Sequence, residues 1–287
     1  MNDNEYPALF CATDSASNKT QKIFLNLNIA YLFTAILGIF FAYFSTSKTS
    51  LVISASLFLI GLFFLIVILT KKYDQKWYSC RAIAESIKTA TWRFMMKSEP
   101  YDNSENLAKS EFRNLLRELL KGNSSISELI GGEVSEQEQI TNKMLQIRNL
   151  DLNARIDFYL TNRIDEQRKW YSKKYTDNKR SNSIWFSLLI LFNSIAGVMA
   201  IIKISDPSIN QVPIDIFAVM AVSSLTWIQL KKYQDLVSSY AIAAHEIGTI
   251  RGITDEIKTE NEFSNFIIDS ENAFSREHTK WIAKRSS

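Results

Sequence analysis

Four stretches of the chain each run for about the width of a bilayer with no charge in their interior: Ile23 to Phe44, Leu51 to Leu69, Ile184 to Ile202, and Ile214 to Leu230, where Asp215 stands at the mouth. A helix needs about 20 apolar residues to cross the hydrocarbon, so the pattern predicts four transmembrane helices in two hairpins. Outside the hairpins the apolar positions take on a helical rhythm. Tyr73, Trp77, Cys80, Ala84, Ile87, Thr91 and Phe94 recur at alternating intervals of 4 and 3, a heptad seam on the continuation of span two. Leu107, Phe112, Leu115, Leu116, Leu119 and Leu120 fall largely on one face of a helix ending at Gly122, and Phe263, Ile267, Phe274, His278 and Trp281 make a rougher stripe near the C-terminus.

Helix breakers are scarce. Pro occurs only at Pro7, Pro100, Pro207 and Pro213, and no Gly or Pro lies between Gly61 and Pro100 or between Gly132 and Gly197. Nothing in those intervals stops a helix, so the spans are expected to run on as long stalks. "SEQE" at Ser135 to Glu138 is a capping-box pattern and predicts a helix start there, with a break near Asp151 before the run into span three. The expected fold is an all-α membrane protein: four transmembrane helices in two hairpins, with long cytoplasmic helical extensions packed as a bundle. It divides into an N-terminal cytoplasmic segment (1–22), a first hairpin plus stalk (23–100), a cytoplasmic helical region leading into span three (101–183), and a second hairpin plus C-terminal stalk (184–287).

Mean hydropathy of −0.07 looks too low for a membrane protein only because charged, water-facing segments offset the spans. Span one is longer than a signal-peptide core, and the "STSKTS" after it offers no cleavage pattern, so it is expected to stay in the mature chain. Basic residues set the orientation. The short connectors carry only Lys48 and Lys203, whereas Lys19, Lys22, Lys71, Lys72, Lys76, Lys173, Lys174, Lys179, Arg180, Lys231 and Lys232 flank the opposite ends, which places both termini and the central region in the cytoplasm. Cys11 and Cys80 are far apart and lack neighbouring ligands, which suits free thiols in a reducing compartment. "KKY" recurs at Lys71 and Lys231 and "AIA" at Ala82 and Ala241, offsets of 160 and 159, as a tandem duplication of hairpin and stalk would give.

Candidate chemistry is thin. "AHEIG" around His245 and Glu246 lacks the second histidine of a zinc helix, and with eight Gly the chain has no phosphate-binding loop or nucleophile elbow. Enzymatic activity, a metal, a cofactor and a nucleic-acid polymer are therefore not expected. On the first stalk Arg81 and Glu85 can pair for a few tenths of a kcal/mol; burying Trp77 and Trp92 is worth roughly 2–3 kcal/mol each, so packing sets the stalk's position. Arg276, Lys280 and Lys284 follow at intervals of four, either as a solvated basic edge or as an anion contact. Asn26, Asn28 and Asn193 lie within spans, as interhelical glue or the lining of an oligomeric pore.

"W…RA.AE..K…WR" (Trp77, Arg81, Ala82, Ala84, Glu85, Lys88, Trp92, Arg93) and "EPY" at Glu99, following a span pair, resemble SLATT, the SMODS- and SLOG-associating two-transmembrane effector domains. "YLTNRIDEQRKWYSKKYTDN" from Tyr159, which holds Trp170 and Tyr171, and "ENAFSREHTKW" from Glu271, which holds Phe274 and Trp281, resemble a second, tandem copy. The resemblance implies a membrane effector of a bacterial anti-phage or conflict system, in the inner membrane, which oligomerises and permeabilises that membrane on a signal. The signal would be a nucleotide, or a separately encoded protein that makes or senses one. Trp77, Arg81, Glu85, Trp92, Arg93, Trp170, Tyr171, Phe274 and Trp281 are the expected packing and coupling residues of the stalks. The alternative is a membrane-anchored scaffold whose helices recruit a soluble partner.

Overall fold

The computed structural model describes residues 1–2, 5–44, 47–122, 129–131, 138–209, 211–252, 254 and 257–286, with side chains as far as Phe274. Regular structure among them is helical throughout: α1 (Ala8–Phe44), α2 (Lys48–Lys71), α3 (Tyr73–Met95), α4 (Glu105–Lys121), α5 (Asn142–Arg148), α6 (Leu152–Tyr159), a π turn (Leu160–Asp165), α7 (Glu166–Ser205), α8 (Ile214–Lys231), α9 (Tyr233–Arg251) and α10 (Glu260–Ser286). They form two compact units. A span unit comprises Lys22–Lys72 and Lys174–Ser238; a core unit comprises Met1–Gln21, Tyr73–Lys173 and Ser239–Ser287.

Among the described residues four helices are long and apolar enough to cross a membrane, as the hydrophobic pattern predicts. In the first hairpin the usual polarity of packing is inverted. The residues that α2 buries are Ser50, Ser54 and Gly61, while Leu59, Phe63 and Leu69 point outward. Lipid solvates apolar side chains as well as a protein core does, so close backbone approach and interhelical hydrogen bonds hold such a pair together. Ser54 Oγ donates to the Gly38 carbonyl and Ser50 Oγ to that of Phe41, both at 2.7 Å. At Gly61 a Cβ would lie 3.0 Å from Thr34 Oγ1. The second hairpin relies on aromatic contacts instead, Trp185 with Trp227 at 5.9 Å and Phe192 with Phe217 at 6.4 Å. In its connector Lys203 Nζ donates to the carbonyls of Pro207 and Ile209, which satisfies the one cation there.

Spans two and four do not run on unbroken. Each stops at the second lysine of its "KKY": Lys72 (φ 47°, ψ 47°) and Lys232 (φ 49°, ψ 43°) adopt the left-handed conformation, and a new helix begins at the tyrosine. Counting only Gly and Pro as breakers missed these stops. Their occurrence at the same point of both repeats supports the duplication.

The core unit is conventional by contrast. The heptad seam on α3 is buried from Cys80 to Phe94, while Tyr73 and Trp77 are half-exposed. Its partners are α4, α5 and α10 of the same chain. On α4 the buried positions are Ala108, Phe112 and Leu116, with Leu115, Leu119 and Leu120 packed beside them; Leu107 is 49% exposed and leaves the predicted face. α4 does end at Gly122, whose amide donates to Glu118 O at 2.9 Å. Ser135 to Gln137 lie outside the described residues, and Glu138 is not helical. The next helix starts at Asn142, where Thr141 Oγ1 accepts the Met144 amide at 3.3 Å, and the break near Asp151 is present, with Asp151 capping Ala154 N at 2.9 Å.

Candidate functional site

Two polar constructions stand out in the core unit. The first closes the C-terminus of α3, where the last carbonyls of any helix lack intrahelical partners. Lys97 takes a left-handed conformation (φ 54°), so that Ser98 N reaches Arg93 O at 3.0 Å and Lys97 N reaches Phe94 O at 3.4 Å, a Schellman arrangement. Two buried arginines also donate to carbonyls here. Arg148 donates to Phe94 O at 2.5 Å and Tyr101 O at 2.8 Å, and Arg155 donates to Met96 O at 2.8 Å. Cations at a helix C-terminus also oppose its dipole. Arg155 additionally pairs with Glu260 at the start of α10.

The second construction lies deeper. The π turn buries Arg163, whose Nε and Nη2 donate to Glu271 Oε1 and Oε2 at 2.8 and 2.7 Å. Glu271 is fully buried and also accepts from Tyr159 Oη and Thr89 Oγ1, both at 3.0 Å. Its two oxygens offer about four acceptor positions, and all four are used. The guanidinium lies 4.7 Å from the Phe274 ring centroid and 5.8 Å from that of Trp92. Burial draws the Arg163 pKa down, but Glu271 outweighs it and holds the cation above its usual range. Burial, then Glu271, pushes the Tyr159 hydroxyl up, so it stays a donor. Lys88 on the same helix as Thr89 is drawn down by burial. The result is a closed lock joining α3, the π turn and α10. Its carboxylate is committed to these four donors. Cys80 is buried and its thiol is pushed up by that burial, which suppresses thiolate chemistry.

The residues singled out in the sequence are distributed as follows. Arg81 does pair with Glu85, at 2.6 Å, and also with Asp14 at 3.2 Å. The Trp77 ring stacks on Tyr78 at 4.5 Å, Trp92 is fully buried, and Arg93 donates to Asn272 Oδ1 at 2.8 Å. Trp170 and Tyr171 meet Tyr240 at 5.5 and 5.8 Å, and Phe274 packs on Arg163. Arg276, Lys280, Trp281 and Lys284 lie outside the residues whose side chains are described. In the span unit Asn28 donates to Phe24 O at 2.8 Å and Asn193 to Leu189 O at 2.9 Å, each within its own helix; Asn26 and Asn193 are exposed. Among the described residues no group of three His, Cys, Asp or Glu could hold a metal ion.

Arg163 and Glu271 escaped the sequence reading, although a signal for Glu271 was present. It fills the gap in the C-terminal stripe, four residues after Ile267 and three before Phe274. A charge on the apolar face of a helix implies a buried partner.

Two apolar helical hairpins, each with flanking helices that join a common packed core, define an all-α membrane protein built from two tandem two-span domains. The chain belongs to the SMODS and SLOG-associating 2TM effector domain family: residues 7–156 match effector domain 3 (SLATT_3) and residues 159–281 match effector domain 1 (SLATT_1). The family resemblance of the stalk motifs is thereby borne out. Both domains divide alike, each giving its span pair to the span unit and its flanks to the core unit. No curated protein and no solved structure matches the chain.

Proposed function

We propose that the chain is a membrane effector of a bacterial anti-phage or conflict system. In this reading copies of it associate in the inner membrane, both termini cytoplasmic, and permeabilise that membrane when a nucleotide or a separate signalling protein reaches the cytoplasmic helices. The tandem of effector domains with four spans carries the reading. Supporting it is Asn193, whose carboxamide is exposed in the middle of span three. An amide in hydrocarbon gains roughly 0.6–2 kcal/mol by meeting another helix, and a second copy offers an identical, self-complementary amide. Arg276, Lys280 and Lys284 are the proposed contact for an anionic trigger. The core lock would hold the resting arrangement, and a trigger shifts it only by binding the active arrangement better.

The test is induction of the chain in bacteria together with its neighbouring genes, read by a membrane-potential dye, alongside its oligomer size in detergent. Depolarisation that is lost or delayed with Asn193→Leu is expected. An unchanged potential under every trigger, with a monomeric chain, would overturn the proposal in favour of a membrane-anchored scaffold.

A further inference from the structure

The break after span four is one residue long. α8 ends at Lys231, Lys232 is left-handed, and α9 starts at Tyr233. The Lys232 amide still donates to Ile228 O at 3.0 Å, and its carbonyl already accepts the Leu236 amide at 3.1 Å. Only two torsions therefore separate this arrangement from one helix spanning Ile214–Arg251. Lysine carries a Cβ, which disfavours the left-handed region roughly fivefold or more in population. No Gly or Asn occupies the site to relieve that strain, so a contact across the break adds to its stability.

A candidate holder spans it. Trp227 Nε1, on α8, donates to Tyr233 Oη, on α9, at 3.3 Å, and the Trp185 ring of span three packs against Trp227. On a continuous helix residues six apart stand about 120° apart around the axis and about 9 Å along it, so indole and phenol would face away from one another. The hydrogen bond and the break thus belong to the same state. In the first hairpin Lys72 has nearly the same torsions, yet the residue six before its tyrosine is Val67. That repeat has the break without the indole.

We propose that Lys232 is a two-state joint latched by the Trp227–Tyr233 hydrogen bond. In the latched state span four ends at Lys231. In the released state Lys232 becomes right-handed, α8 and α9 fuse, and the first turns of α9 swing around to extend span four. Any ligand with a preference for one state would shift the joint. The proposal concerns this helix pair alone and does not depend on whether the chain permeabilises a membrane.

Pulsed electron-electron distance measurement on the full chain in nanodiscs tests it, with spin labels at Val222→Cys and Ser238→Cys and with Cys11 and Cys80 replaced. Both label sites are exposed. A fused helix sets them about 24 Å apart, at ~1.5 Å per residue, and the latched joint brings them closer. The wild type and Lys232→Gly should give the short distance. Tyr233→Phe combined with Lys232→Ile should raise the population near 24 Å by roughly fivefold or more. Adding Lys232→Gly to Tyr233→Phe alone should restore the short distance, which a misfolded variant would not do. Distance distributions that are identical across all variants, or a wild type already at about 24 Å, would overturn the joint.

Discussion

Replacing Glu271 by Gln tests the core lock directly. The pair is buried on both sides, with 3% of the Arg163 side chain and none of the Glu271 side chain exposed. The amide keeps the carboxylate's shape but leaves the guanidinium charged and uncompensated in a dry site. Breaking a buried ion pair on one side costs about 3–5 kcal/mol. The surface pair of Arg81 and Glu85, by comparison, contributes roughly 0–1 kcal/mol. A typical domain has about 5–15 kcal/mol in all, so the loss is a large share. For a domain of this size it corresponds to a fall of roughly 6–20 °C in Tm, at about 2–4 °C per kcal/mol. Thermal melts of the full chain in detergent, followed by tryptophan fluorescence, read it. The double variant Arg163→Met, Glu271→Leu removes both charges and should recover part of the loss, limited by the stranded hydroxyls of Tyr159 and Thr89 at about 1–3 kcal/mol each. The reasoning fails if Glu271→Gln costs under about 1 kcal/mol, or if the double variant is worse than the two single substitutions added together.

Gly61→Leu should loosen the first hairpin by about 1–3 kcal/mol, because its Cβ meets Thr34 at 3.0 Å, whereas Gly197→Leu, whose Cβ has nothing within 4 Å among the described residues, should leave the second hairpin within about 0.5 kcal/mol; melts in detergent that rank the two the other way refute the packing account. Burial raises the hydroxyls of Tyr6 and Tyr101 to about 12, so both favour the folded state below the unfolded value near 10, and that contribution, up to about 2–3 kcal/mol each, is lost as pH rises from 10 through about 12. An ultraviolet titration should then show these two ionising well after exposed tyrosines, and simultaneous ionisation of all 11 would contradict it.

The spans and the amphipathic helices were legible because their signals are long and periodic. A bilayer demands about 20 apolar residues, and burial on a core demands one face, so Ile23–Phe44 and the Cys80–Phe94 seam announce themselves. Three features were not legible, each for a physical reason. Lys72 and Lys232 stop helices through backbone torsions that lysine rarely adopts, and no local residue preference encodes that. Arg148, Arg155 and Arg163 resemble any solvated cation until the carbonyls and the carboxylate they meet are in place, which requires segments more than 40 residues away to fold onto them, Arg148 with Tyr101 and Arg163 with Glu271 being separated by 47 and 108 residues. The start of α5 at Asn142 depends on its Thr141 cap, which also donates to Glu5 O at 2.8 Å, a tertiary contact that no local capping pattern contains.

The two hairpins place their polar groups differently, and the difference has a consequence for assembly. In the first, Ser50 and Ser54 of α2 donate across to carbonyls of α1, so their hydrogen-bonding capacity is spent between the two helices of the pair. In the second, Asn193, Ser224 and Thr226 each donate to the carbonyl four residues back on their own helix. Such a bond satisfies the group without tying the helices together, and an amide has a second N–H and a carbonyl to spare. The first hairpin is thus braced across its two helices by serine hydrogen bonds, though Asn28 of span one also donates within its own helix, while the second is held by ring contacts and keeps unspent polar capacity at mid-span Asn193. In hydrocarbon, unspent capacity has no solvent to meet it, so under the proposed self-association the mid-span amide of Asn193 is the contact to test first, ahead of Asn28 near the start of span one, which likewise donates within its own helix.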